Sequence, residues 1–150
     1  MKKIALFISS GCYSGYFPVA PGTFGSAIGL LVWWLIPGNS SFLISTTLVV
    51  LTTLLGFWAV NQIVNDGSED DPGWIVIDEW IGLFCSLMII VPSNHIDLLL
   101  AFIFFRIFDA SKIWPVGWAE KFKGSLGIIL DDIVAGILAG IVVCGIRFVM

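Results

Sequence analysis

The chain alternates long apolar stretches with short polar breaks, and those breaks hold most of its turn-forming residues. Five apolar stretches stand out, at 23–36, 42–64, 74–91, 96–109 and 126–148. A helix rises about 1.5 Å per residue and a bilayer core is about 30 Å thick, so roughly twenty apolar residues make a crossing. Stretches 42–64 and 126–148 reach that length. Stretch 23–36, about 21 Å as a helix, reads as a short span or a re-entrant element. Stretch 74–91 is a span interrupted by Asp78-Glu79, and 96–109 is short unless it continues towards Ile113. The connections "PGNSS" at 37–41, "DGSEDDPG" at 66–73, "PSNH" at 92–95 and "WPVGWAEKFKGS" at 114–125 carry turn chemistry. The pattern predicts an all-α integral membrane protein, a compact bundle of about four to five transmembrane or re-entrant helices.

Composition supports that class. Of 150 residues, 58% are hydrophobic and only 12% charged, whereas a soluble domain carries about twice that charged fraction. No linker or low-complexity run divides the chain, so 1–150 reads as a single membrane-embedded domain. The net charge of −4 gives no basic surface for nucleic acid; the expected partners are the membrane and its lipids. The opening "MKKIALFISSGCYSG" imitates a signal peptide, but its apolar core, 4–8, is shorter than the roughly 7–15 residues such a segment needs. Ser9 also stands where a lipoprotein-type Cys12 would need an aliphatic residue. Residues 1–20 are therefore expected to be an interfacial arm. Cys12, Cys85 and Cys144 share no metal or redox spacing and read as small apolar fillers. His95 is the only histidine, which disfavours mechanisms built on a catalytic histidine.

Positive charge orients the bundle. Lys2 and Lys3 precede the first stretch, and Lys112, Lys121 and Lys123 lie between the fourth and fifth, while the 37–41 and 92–95 breaks hold none. Short loops rich in Lys and Arg stay cytoplasmic, and five crossings put both basic regions on that side. Arg147, at the far end, is the dissenter. Trp33, Trp34, Trp74, Trp80, Trp114 and Trp118 fall mostly near stretch ends and read as an interfacial belt. The acids of "DGSEDDPG" read as a solvated turn without the calcium-loop pattern.

The remaining charges are out of place. Asp78 and Glu79, then Arg106 and Asp109, then Asp131 and Asp132 sit inside or at the ends of apolar stretches. Ionisable groups at membrane depth cost about 2.5–3.5 kcal/mol each on insertion scales, so they pair, bind ions or line polar cavities. The orientation puts all three groups near the cytoplasmic ends of their helices. Asp78, Gly82 and Ser86 share one helix face, as do Asp132, Gly136 and Gly140. Small residues at that spacing let membrane helices pack backbone to backbone, which would bring the two acidic pairs together.

Clustered carboxylates without His or Cys suit a hard divalent cation, Mg²⁺ above all. Asp78, Glu79, Asp131 and Asp132 are the expected ligands. Arg106 and Lys112 flank Asp109 at helical spacing, and an arginine fork matches phosphate oxygens. The first stretch opens with "APGTFGS": Pro21 starts a helix, Gly22 and Gly25 allow close approach, and free N–H groups near Thr23 and Ser26 favour an anion. Cation ligands, phosphate binders and a headgroup-level location together suggest phosphoryl chemistry on a phospholipid.

The motifs "APGTFGS", "DPGWIVIDEWIG", "FRIFDASKIWP" and "GIILDDIVAG", in this order and spacing, resemble those of the phosphatidylglycerophosphatase A family. The resemblance covers about 21–140. It implies a small, multi-pass enzyme of the bacterial inner membrane, with its active site facing the cytoplasm. It further implies Mg²⁺-dependent removal of the terminal phosphate of phosphatidylglycerophosphate, an inner-leaflet phospholipid, to give phosphatidylglycerol. The family's acidic pair then falls on Asp78-Glu79, its Arg-x-x-Asp on Arg106 and Asp109 followed by Lys112 and Pro115, and its last motif on Asp131, Asp132, Ala135 and Gly136. Asp78, Arg106, Asp109 and Lys112 become the expected catalytic residues, with Pro21, Gly22, Thr23, Gly25 and Ser26 beside the substrate. Two departures, Ile113 where the family commonly has Pro and Ser125 where it has a second Gly, both lie in or beside the 114–125 connection. Soluble aspartyl phosphatases need an Asp-x-Asp on a strand, and histidine phosphatases need two histidines. CDP-alcohol transferases need more spaced aspartates than "DDIVAG" offers. A small ion-coupled transporter or channel is the alternative of a different class; its acids would lie near the bilayer midplane.

Overall fold

The computed structural model describes residues 2–64 and 72–149, so most of the "DGSEDDPG" turn lies outside the described residues. The described residues form seven α-helices and one 3₁₀ turn, without strands: α1 Lys2–Ser9, the 3₁₀ turn Ser14–Tyr16, α2 Pro21–Leu35, α3 Phe42–Val64, α4 Ile77–Ile90, α5 His95–Ser111, α6 Val116–Ala119 and α7 Ser125–Val149. All five expected stretches are helical. The stretch at 74–91 is shorter than expected, because residues 74–76 enter as a non-helical lead and α4 begins at Ile77. The fourth helix is longer than its stretch and runs to Ser111.

Only α3 and α7 are both long and apolar enough to cross a membrane, with peak hydropathies of 2.0 and 2.3. In α3 just 22% of that apolar window is buried within the protein. Phe42, Leu43, Val50, Leu51, Leu54, Leu55 and Phe57 lie on its exposed side. An apolar surface that wide on one helix marks a lipid- or partner-facing side. Helix α4 is the opposite case: apolar almost all round and buried over most of its length, it is the central helix. It packs on α7, α3, α2 and α5.

The α4–α7 contact is set by two glycines. A Cβ on Gly136 would run into the Gly82 carbonyl, and one on Gly82 would meet the Asp132 carbonyl. The two backbones therefore touch, as the small-residue seams predict, and the acids that head both seams arrive at one level. Gly25 and Gly29 of α2 play a similar part against Val76 and Trp80 of α4, and Trp80 Nε1 donates to the Gly25 carbonyl at 2.7 Å. Trp33 and Trp80 thus depart from the expected belt: both are core residues, whereas Trp34, Trp114 and Trp118 are exposed. Cys85 is buried in the same core, and Cys12 is exposed.

The helices alternate in direction. The starts of α2, α4 and α7 and the ends of α3 and α5 gather at one end of the bundle. The arm belongs to that end too: α1 packs on α3 and α4, and Val76 N–H donates to the Ser9 carbonyl at 2.9 Å. At the opposite end Ser40 Oγ donates to the Pro92 carbonyl at 3.2 Å. There Arg147 Nη1 donates to the Ile90 carbonyl at 2.7 Å and lies 3.9 Å from Asp97 Oδ2. The dissenting cation is thus matched by an acid and by the end of α4.

Candidate active site

The charged residues meet at the first of these ends. Helix α4 opens with Asp78 and Glu79 in its first turn, where acids are favoured by the helix dipole. Helix α5 closes with Arg106 and Asp109 one turn apart, and Lys112 follows in a left-handed conformation (φ 47°) that ends the helix. Asp131 and Asp132 lie two turns into α7.

One guanidinium nitrogen ties three helices together. Arg106 Nη1 lies 2.8 Å from Asp109 Oδ2 on its own helix and 3.2 Å from Glu79 Oε1 on α4. It also donates to Ser26 Oγ on α2 at 3.4 Å. Lys112 extends the row: its Nζ is 3.2 Å from Asp109 Oδ1 and bonds Asp131 Oδ2 on α7. Burial alone would depress the Lys112 ammonium, but the hydrogen bond and charge of Asp131, helped by Asp109, outweigh it and raise its pKa. Lys112 is therefore a cation at any physiological pH. Asp109 uses one oxygen on each cation, so it fixes the spacing of Arg106 and Lys112.

Two carboxylate oxygens face inward without hydrogen-bond partners, Glu79 Oε2 and Asp132 Oδ1. Asp132 is 4% exposed. Buried carboxylate oxygens left unpaired are costly, and an all-oxygen donor set of this kind fits a hard cation in its chemistry. Among the described residues, however, no three His, Cys, Asp or Glu side chains are gathered into a ready-made metal cage.

The α2 start divides its roles. Gly22 faces the site, since a Cβ there would collide with Glu79 Oε1 and sit 3.4 Å from Arg106 Nη2. Ser26 is buried, donates to the Gly22 carbonyl at 2.9 Å and reaches Arg106. Gly25, expected to admit a ligand, is instead packed against Val76. Pro21 is half-buried at the first helical position and Thr23 is exposed. Asn61 was not foreseen: it accepts a hydrogen bond from Ser125 Oγ at 3.3 Å and ties the end of α3 to the start of α7. Its signal was available, as a lone amide near the end of an apolar stretch.

A Haemophilus influenzae protein named phosphatidylglycerophosphatase A is 34% identical over 156 residues, which cover 100% of this chain and 96% of that protein. An Escherichia coli protein of the same name is 35% identical over 136 residues, 88% of this chain and 77% of that one. A Bacteroides thetaiotaomicron protein with the provisional name phosphatidylinositol-3-phosphatase is 35% identical over 154 residues, 98% and 96% of the two chains. No solved structure matches the chain. Residues 7–147 match the family described as Phosphatidylglycerophosphatase A, and the chain belongs to that family.

Proposed function

We propose that the protein is a multi-pass lipid phosphatase of the bacterial inner membrane, with its charged end facing the cytoplasm. It hydrolyses the terminal phosphate monoester of phosphatidylglycerophosphate to phosphatidylglycerol and inorganic phosphate. The observation that carries this reading is the Arg106–Asp109–Lys112 row, which holds two cations at fixed spacing beside two acidic pairs, all at one end of an apolar bundle. A transporter would place its acids midway along the helices, and these are not there.

In this reading Arg106 and Lys112 hold the phosphoryl oxygens and neutralise the charge that builds on them, the dominant task in phosphoryl transfer. Asp78, Glu79, Asp131 and Asp132 would hold Mg²⁺, which supplies further positive charge against those oxygens when bound. Asp109, one of the expected catalytic residues, is committed to both cations and acts by positioning them. Asp78, from the acidic pair of α4, is assigned the proton of the attacking water. The water oxygen bonds to phosphorus, the bond from phosphorus to the lipid oxygen breaks, and the departing oxygen takes up the proton that Asp78 removed from the water. The acyl chains stay in the bilayer, so the lipid enters sideways between helices.

The test is phosphate release from phosphatidylglycerophosphate by detergent-solubilised protein, with phosphatidylinositol 3-phosphate as the comparison substrate. Release should require Mg²⁺, stop with a chelator, and fall at least a hundredfold in an Asp131→Asn/Asp132→Asn variant. Full activity of that variant in the presence of chelator would overturn the metal assignment.

A further inference from the structure

Next to the charged row lies a cavity that the chemistry above does not use. It has a volume of about 360 Å³ and lies between the 120–124 turn and the start of α7. Its walls include Glu120, Lys121, Phe122, Lys123, Gly127 and Asp131. Asp131 is the shared wall: it lines this cavity, and its carboxylate bonds Lys112 of the inner row. Its charge is thus already matched. Lys121 and Lys123 are exposed and form no ion pair among the described residues. Around this concave space the two lysines outnumber Glu120, the one acid not already matched. An excess of one sign of charge around a concave space concentrates the opposite ion.

We propose that this cavity is an outer phosphate site, a vestibule in which Lys121 and Lys123 hold a phosphate oxyanion on its way to or from Lys112. The inference rests on the reading of Arg106 and Lys112 as the inner phosphate site. The same chemistry would accept released inorganic phosphate or the phosphate of a neighbouring lipid headgroup. Lysine suits a transient site, because its ammonium is a strongly hydrated point charge without the fork of Arg106.

The test reads binding, not turnover. Inorganic phosphate is titrated into protein in uncharged detergent and followed by ³¹P NMR or calorimetry. A Lys121→Gln/Lys123→Gln variant should bind phosphate about thirtyfold more weakly, the combined worth of two surface cations near an anion. Lys121→Arg/Lys123→Arg should retain affinity. In an Arg106→Gln background, which removes an inner contact, the lysine-dependent binding should persist. Equal affinity in wild type and the Gln variant, or loss of lysine dependence in the Arg106→Gln background, would overturn the vestibule. Repeating the titration in nanodiscs separates the sources. Weaker phosphate binding in phosphatidylglycerol than in phosphatidylcholine assigns the cavity to lipid headgroups, and equal binding assigns it to free phosphate. Failure of the functional reading looks different: lysine-dependent phosphate binding by a protein that releases no phosphate from any lipid.

Discussion

Replacing Arg106 by Lys keeps the positive charge and removes the fork. In the structure one nitrogen of Arg106 already spans Asp109 at 2.8 Å and Glu79 at 3.2 Å, which leaves its second terminal nitrogen for substrate. A lysine at the same position has one nitrogen and must choose. Hydrogen bonds to charged groups contribute about 1.5–3 kcal/mol each. The side chain is 21% exposed, so solvent screening argues for the lower end of that range. A lysine nitrogen that keeps the two carboxylates loses the contact to the transferring phosphate, which costs about 1.5 kcal/mol in the transition state, or roughly tenfold in rate. The assay is initial phosphate release at saturating lipid, with helicity followed by circular dichroism. The expected result is a fall in kcat with unchanged helicity. If Arg106→Lys kept more than half the wild-type kcat, the fork would have no role in the reaction, and Arg106 would be only a structural ion pair.

Gly136→Ala should lower the melting temperature in detergent by several degrees and reduce activity with it. Its new methyl meets the Gly82 carbonyl, and overpacking of this kind costs about 1–3 kcal/mol. Gly145→Ala is the matched control, because nothing lies within 4 Å of its new Cβ; an equal loss there would discredit the helix-contact explanation. Sidedness can be read by cysteine labelling in oriented vesicles. Ser125 reads as a cytoplasmic loop position in the sequence but is buried, so Glu120→Cys is the better probe. It and the native, exposed Cys12 should react from the cytoplasmic side, and Ser93→Cys from the outside. The reverse pattern would overturn both the orientation and the inner-leaflet substrate.

Much of the architecture was legible because membrane helices announce themselves by length and apolarity, and because glycine seams at i, i+4 have one common use. The shared level of Asp78 and Asp132 followed from those seams. What the sequence could not show was which carboxylate binds which cation. Asp109 sits one turn from both Arg106 and Lys112 in sequence, so spacing alone predicts its two local contacts. Only the fold reveals that Glu79 and Asp131, from two other helices, complete the row. The tryptophans misled for a related reason: position along a helix is visible in sequence, but its rotation is not, and Trp33 and Trp80 face inward.

The two ends of the bundle show why a row of ion pairs can still be a reaction site. At the far end, Arg147 and Asp97 close a circuit with backbone groups: Arg147 takes the Ile90 carbonyl, and Asp97 Oδ2 accepts from Ser93 N–H at 2.8 Å. Its two charged groups are all committed to the protein, as befits a structural clasp. At the near end the pairing is incomplete. Arg106 and Lys112 are balanced by Asp109 and by one carboxylate each from α4 and α7, yet Glu79 Oε2 and Asp132 Oδ1 remain buried without partners. A purely structural network gains nothing from burying two orphan acceptors. In the proposed reading, these two oxygens would be where a divalent cation sits beside the phosphate. The difference between the ends is therefore one of unfinished bonding, and it is the observation that favours the near end as the proposed site.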